Sequence, residues 1–358
     1  MRATCATIHM AALRENLRRV RELAPGRRVL AVVKADAYGH GLERAARALQ
    51  GADAFGVAAI QDGQRLRAAG FSQRIVVMAG IDHPDDVVEM RRLDLDSVVH
   101  TDEQIDWLST DGDARPIRVW LKVDSGMHRL GFAPERIRDV HARLSALPGV
   151  HRDIVLMTHF ANSDVFDDEL THRQTDVFER AGSGLGGEQS LANSAGVIGW
   201  PEAHGDWVRV GGALYGISLV AGKPGADFGL RPAMTLSTRL IAVNHLAAGE
   251  RVGYGSTWEC PTDSIIGVAA IGYGDGYPRA VVNGAPVLVN GQRAKIAGRV
   301  SMDMITIDLS DQPAARIGDP VVLWGQGLPI EEVADAAETI GYDLVCGMTR
   351  RVRFVEAD

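Results

Sequence analysis

Cysteine is scarce in this chain. Cys5, Cys260 and Cys346 are the only three in 358 residues, and no C-x-x-C pair exists, which excludes a disulfide framework and a zinc ribbon. Basic charge is short too: 38 Lys and Arg stand against 46 Asp and Glu, a formal charge of −8. Binding to nucleic acid or an anionic membrane needs a basic footprint that such a chain lacks. Its one dense basic run (Arg14, Arg18, Arg19, Arg21, then Arg27 and Arg28) is broken by Glu15 and Glu22 and reads as a solvated helix face. Long apolar runs are missing. The longest, Ile265 to Gly272, is too short to span a bilayer, and MRATCATIHM lacks the apolar stretch of a secretory signal. No His or carboxylate pair stands at metal-ligand spacing, and there is no internal repeat. The expectation is a cytoplasmic protein with reduced thiols and no metal.

What is present is an ordinary globular composition, 46% hydrophobic and 23% charged, over about twice the length of a typical domain. The first two-thirds alternates short apolar runs with amphipathic stretches. Leu13, Leu17, Val20 and Leu23 repeat at helical spacing. Strand-like runs follow at 29–33, 54–59, 74–79, 96–100, 117–123, 153–159, 188–193 and 207–210. Helix-like segments lie between them at 42–50, 61–69, 84–93, 134–147 and 167–181. Continuous apolar strands are what a parallel sheet buried on both faces requires. Eight of them with intervening helices predict an α/β fold, an eight-stranded βα (TIM-type) barrel over 9–225, with an open doubly wound sheet as the alternative. After about residue 225 Gly and β-branched residues dominate, with period-two stretches at 235–243, 265–271, 286–296 and 303–309 and one helix-like segment at 330–340. This predicts a mostly β C-terminal domain over 226–358, joined by the early strand within 1–8.

In a βα barrel the reactive groups sit at the C-terminal ends of the strands. Strand one ends in Lys34, followed by Asp36 and Tyr38 in KADAYGHG; strand five ends at Lys122, Asp124 and Arg129 in LKVDSGMHRLGF. Strand six ends in His159, strand seven in Asn193 and Ser194, and strand eight in Arg209, Gly211 and Gly212. A desolvated lysine has a lowered pKa and can attack a carbonyl to form a Schiff base; alone, Lys34 is equally a salt-bridged end cap. The loops after strands seven and eight are where such barrels hold phosphate, and here they offer a hydroxyl and Gly-Gly backbone donors. A Schiff-base lysine opposite a phosphate cradle points to pyridoxal phosphate. His159 then reads either as a satisfied core histidine or as a planar group against the cofactor. Gly182, Gly184 and Gly187 fit G-x-G-x-x-G, but they follow a helix and precede a strand, the reverse of a dinucleotide site.

KADAYGHG (34–41) resembles the cofactor-lysine signature of the alanine racemases. The resemblance continues in order through LKVDSGMHRLGF (121–132), THF (158–160), NS (193–194), VRVGGALYG (208–216), VGYGSTW (252–258), GYGDGYPR (272–279) and GRVSMDM (298–304). It implies an isomerase that interconverts L- and D-alanine for peptidoglycan, working as a head-to-tail homodimer with shared active sites. Lys34 would hold pyridoxal phosphate and act as one of two acid/base groups. Tyr254, from the partner subunit, would be the other, on the opposite face of the substrate. Tyr38, Asn193, Ser194, Gly211, Gly212 and Tyr273 would hold the cofactor, with His159 against its ring and Arg209 facing the ring nitrogen. Arg129, the Met302 backbone N–H and Asp303 would bind the substrate. Lys122 is open to two readings, a carbamate that fixes Arg129 or an unmodified partner for Asp124.

Two features depart from the family's pattern. VRVGG carries Gly212 where an aliphatic residue is usual, and CGMTRRV places Arg350 where some members carry a pocket tyrosine. Backbone donors survive the first change. The second bears on pocket size, so a broad-specificity amino-acid racemase is the alternative activity. Further rivals are a barrel decarboxylase using the same cofactor and a cofactor carrier built from the barrel alone.

Overall fold

The computed structural model describes residues 3–110 and 115–358. The chain divides into two compact units, Asn16–Leu214 and Met1–Glu15 with Tyr215–Asp358. The boundaries therefore lie inside the first helix and just past the eighth barrel strand, whereas the sequence pattern placed them at 8/9 and 225/226.

The first unit holds eight parallel strands in a nearly closed barrel: Arg28–Val32, Ala54–Val57, Arg74–Val77, Asp96–Val99, Val119–Lys122, Val155–Met157, Gln189–Ser190 and Trp207–Val210. The first seven pair in parallel with their sequence neighbours, and Trp207–Val210 returns to pair with Arg28–Val32. Backbone bonds from Asp206 N–H to Gln189 O (2.8 Å) and from Arg209 N–H to Ala192 O (3.0 Å) bridge the remaining gap. Every one of the eight runs expected from the sequence contains a strand here; six are trimmed, the first is shifted by one residue and the last is unchanged.

Side chains alternate along a strand, so every second residue points into the barrel. Leu30, Val32, Ala54, Val76, Val98, Trp120, Val155, Met157 and Trp207 form that buried interior. The N-terminal end is plugged by Trp120 and Trp207, edge to face at 5.4 Å, with the Arg74 guanidinium beside both rings. Arg74 pairs with the buried Asp96, which also accepts the Trp120 indole N–H at 3.0 Å. That charge is thus paired and hydrogen-bonded, as burial demands. Continuing the same alternation upward, Lys122 lies two residues beyond Trp120, His159 two beyond Met157 and Arg209 two beyond Trp207. The strand period itself delivers these three polar groups to the C-terminal mouth.

The second unit is built on Met234–Leu246, a 13-residue strand. It pairs antiparallel with Cys5–His9 and Pro320–Trp324 and, past an irregularity between Leu240 and Ala242, with Ser264–Ala269. Ile305–Asp308, Gln292–Ile296 and Pro286–Val289 complete the circuit back to Pro320–Trp324. Residues 286–296, which read as one alternating stretch, are a hairpin. Asn290 and Gly291 form its turn with φ of 52° and 76°, the two positive values that a tight hairpin turn needs. Arg353–Ala357 runs parallel to Cys5–His9 at the edge. No helix among the described residues is long and apolar enough to cross a membrane.

Candidate active site

Directly after the first barrel strand the chain makes a left-handed turn. Ala35, Asp36, Ala37 and Tyr38 have φ of 54°, 52°, 56° and 52°. For L-residues this conformation costs of order 1–2 kcal/mol each, so four in succession persist only if the surroundings impose them. Three restraints are visible. The buried His40 donates through Nδ1 to Ala37 O (3.0 Å) and Tyr38 O (2.7 Å). Asp36 Oδ1 accepts from Leu42 N–H (3.1 Å) and from Arg65 (3.0 Å). Gly41 N–H closes the loop on Asp36 O at 2.8 Å. Lys34 sits at the start of this turn, at the exposed rim of the barrel.

On the neighbouring strand, in register with Leu30, Arg209 is 3% exposed and its two terminal nitrogens are fully engaged. Nη1 donates to Ser190 O (2.9 Å) and Ser190 Oγ (2.7 Å); Nη2 donates to Thr158 O (2.6 Å), Leu191 O (3.1 Å) and His159 Nδ1 (3.2 Å). Its Nε–H is buried with no partner. Desolvation lowers the Arg209 pKa to about 10, which still leaves a full positive charge at neutral pH. Burial, and then the charges of Arg209, Lys122, Arg129 and Lys34, hold His159 well below its usual pKa of 6.5. The ring is neutral.

Lys122 is 7% exposed. Burial first, then Arg209, Arg129 and Lys34, lower its pKa from 10.5 to about 8. Among the described residues it has no ion-pair partner. Asp124 is occupied elsewhere: Oδ1 accepts from Gly126 N–H (3.1 Å) and His128 N–H (3.0 Å), and Oδ2 lies 3.1 Å from His128 Nδ1. Burial raises the Asp124 pKa, but these bonds outweigh it and the net shift is downward. The reading of Lys122 as an ion-pair partner for Asp124 finds no support in this geometry. Arg129 stands at the exposed end of the same loop.

The segments after strands seven and eight meet at Gly211. Ser194 Oγ accepts from Gly211 N–H (3.0 Å) and Ala213 N–H (3.3 Å). A Cβ at position 211 would collide with the Tyr38 hydroxyl, so glycine is required there by close approach. Asn193 Oδ1 is committed to Gly196 N–H (2.9 Å) and the Ser163 hydroxyl (2.8 Å); it orders the loop from within.

The second unit carries its own group. Tyr254 is 70% exposed at the tip of a loop bounded by Gly253 and Gly255, both at positive φ. The segments that carry Tyr273 and Met302 are joined by backbone bonds, Tyr273 N–H to Ser301 O (3.0 Å) and Gly274 N–H to Met302 O (2.9 Å). Asp303 pairs with Arg351, a residue the sequence pattern did not single out; its neighbour Arg350 is exposed.

Comparison with known proteins gives a family. Residues 8–219 match the N-terminal domain model of alanine racemase and 233–356 the C-terminal domain model. The chain belongs to the alanine racemase family. Relatives of that family include the alanine racemase of Shewanella sediminis, 49% identical over 97% of each chain, and the biosynthetic alanine racemase of Escherichia coli, 46% identical over all of both. Among solved structures, the biosynthetic alanine racemase of Pseudomonas aeruginosa superposes with a TM-score of 0.97 at 45% identity over the full length of both. The alanine racemase of Bartonella henselae, solved with covalently bound pyridoxal phosphate, gives 0.90 at 26% identity, again over both chains entire.

Proposed function

We propose that this protein is a cytoplasmic, homodimeric isomerase that interconverts L- and D-alanine with pyridoxal phosphate held at Lys34, supplying D-alanine for peptidoglycan. The observation that carries the cofactor reading is Arg209: a buried guanidinium with every donor placed except Nε–H. A flat heteroaromatic ring with an accepting nitrogen would satisfy that orphan. The Ser194–Gly211–Tyr38 cradle suits a phosphate, and the rim lysine suits an aldehyde. These residues fit the group.

Bound pyridoxal phosphate would supply an electron sink for the pair left at Cα when its proton departs. The chain's residues do the rest. Lys34 Nζ moves the Cα proton on one face of the substrate, and Tyr254 Oη moves it on the other, the arrangement inversion requires. The exposure of Tyr254, Met302 and Tyr273 (70%, 52% and 40%) supports a site completed across a homodimer. Arg209 cannot readily release its proton, so it would hold the ring nitrogen as a hydrogen-bond donor without protonating it, and the bound group would then supply a weaker electron sink that favours return of the proton to Cα. Arg129 and the Met302 N–H bind the substrate carboxylate. Lys122, partly neutral near pH 8 and ringed by cations, is suited to carbamylation; the change from cation to anion turns repulsion of Arg129 into attraction.

Borohydride reduction of the holoprotein followed by peptide mass analysis tests the reading. Pyridoxal phosphate is expected on Lys34 alone, alongside racemisation of alanine in the untreated sample. Fixation at another lysine, or none, overturns the assignment.

A further inference from the structure

Arg351 lies in a turn that touches no expected reacting atom, yet it binds two carboxylates at once. Its Nε is 3.2 Å from Oδ1 of Asp275, which is fully buried, and its Nη2 pairs with Asp303. Asp275 Oδ2 accepts Gly272 N–H at 3.0 Å, so this carboxylate fixes the turn that presents Tyr273. Asp303 is the residue after Met302. The guanidinium crosses Gly274 so closely that a Cβ there would strike it. Thr349 draws in the third segment, donating through Oγ1 to Gly274 O (2.9 Å) and through N–H to Asp275 O (3.2 Å). Tyr277, stacked on Trp324 at 6.0 Å, anchors the far side of the turn in the core.

From this geometry we infer that Arg351 is a positioning residue: it clamps the Gly272–Asp275 turn to the Met302–Asp303 loop and so sets the Met302 N–H and Tyr273 in register. The inference rests on the proposed roles of those two residues toward substrate carboxylate and cofactor phosphate. It also gives Asp303 a different task from the one expected. A bare carboxylate beside the substrate's own carboxylate would repel it, whereas Asp303 paired with Arg351 is neutralised and holds the backbone of Met302 in place. None of the loop bonds described above uses the Met302 N–H.

Arg351→Met would leave Asp275 buried without its counter-charge, which can prevent folding. Asp303→Asn breaks only the more exposed half of the clamp, and Arg351→Lys keeps one contact. In the holoenzyme, Asp303→Asn and Arg351→Met are expected to raise KM for alanine by about tenfold with kcat changed far less, the pattern of lost ground-state binding. Arg351→Lys should recover part of that, and the double variant Asp303→Asn/Arg351→Met should be no worse than Arg351→Met. A second readout is independent of activity: pyridoxal phosphate should leave Arg351→Met faster on dilution, followed by its fluorescence. Wild-type KM and release rate in folded Arg351→Met, or in Asp303→Asn where Arg351→Met does not fold, overturn the clamp. Additive effects in the double variant return Asp303 to direct substrate contact and overturn it as well. A wild-type protein that fails to racemise alanine would instead overturn the proposed function beneath it.

Discussion

Arg209 Nη2 lies 3.2 Å from Nδ1 of His159. A guanidinium only donates, so Nδ1 must accept and the imidazole proton belongs on Nε2. The depressed pKa of His159 says the same by another route: burial and four nearby cations keep the ring neutral. Nitrogen-15 NMR of selectively labelled protein should find His159 as the Nε2–H tautomer, with its titration displaced well below that of a free imidazole. A midpoint near 6.5 would contradict the cage. Arg209→Lys offers one donor group where Ser190, Thr158, Leu191 and His159 need several; it is expected to cost about 2–4 kcal/mol in denaturant unfolding.

The left-handed turn after Lys34 makes a second expectation. His40→Ala strips donors from two carbonyls, and Asp36→Ala strips the acceptor from Leu42 N–H. Each should cost about 1–3 kcal/mol and weaken cofactor retention, because the strained turn carries both Lys34 and Tyr38. Unfolding midpoints and cofactor release rates check this; two stable variants with wild-type retention would show that the turn holds itself.

Lys122 gives a pH signature. Its folded pKa of about 8 lies below 10.5, so between these values the unfolded chain binds more protons and stability rises with pH. Below pH 8 the full penalty applies, roughly 3 kcal/mol. Lys122→Met should therefore be the more stable protein at pH 7.5 in bicarbonate-free buffer, and its advantage should fade toward pH 10. Bicarbonate should stabilise wild type alone and yield a carbamate carbon-13 signal absent from the variant. A difference independent of pH contradicts the unpaired cation.

All eight barrel strands were legible because a strand buried on both faces must be apolar throughout, and such runs stand out between amphipathic helices. The places of Lys34, Lys122, His159 and Arg209 near the C-terminal ends of strands were legible for a related reason: they stand at or beside the ends of those runs. Other features were not. Ala-Asp-Ala-Tyr has no local signal for four positive φ values, which are held by His40 just beyond the turn and by Arg65, 29 residues from Asp36. Asn290-Gly291 did carry a turn signal, but the alternation on either side ran on through it. Arg351 could not be distinguished from Arg350, since what separates them is contact with Asp275 and Asp303, 76 and 48 residues away in sequence.

We propose that Lys34 and Tyr254 move the Cα proton on opposite faces of the substrate. Incubation with L-alanine in heavy water, following Cα deuterium and product chirality together, tests it most directly. Wild type is expected to exchange the Cα proton and accumulate D-alanine, while Tyr254→Phe keeps its cofactor and loses most of the inversion. Exchange without inversion in wild type, or near-normal racemisation by Tyr254→Phe in both directions, would contradict the two-face mechanism.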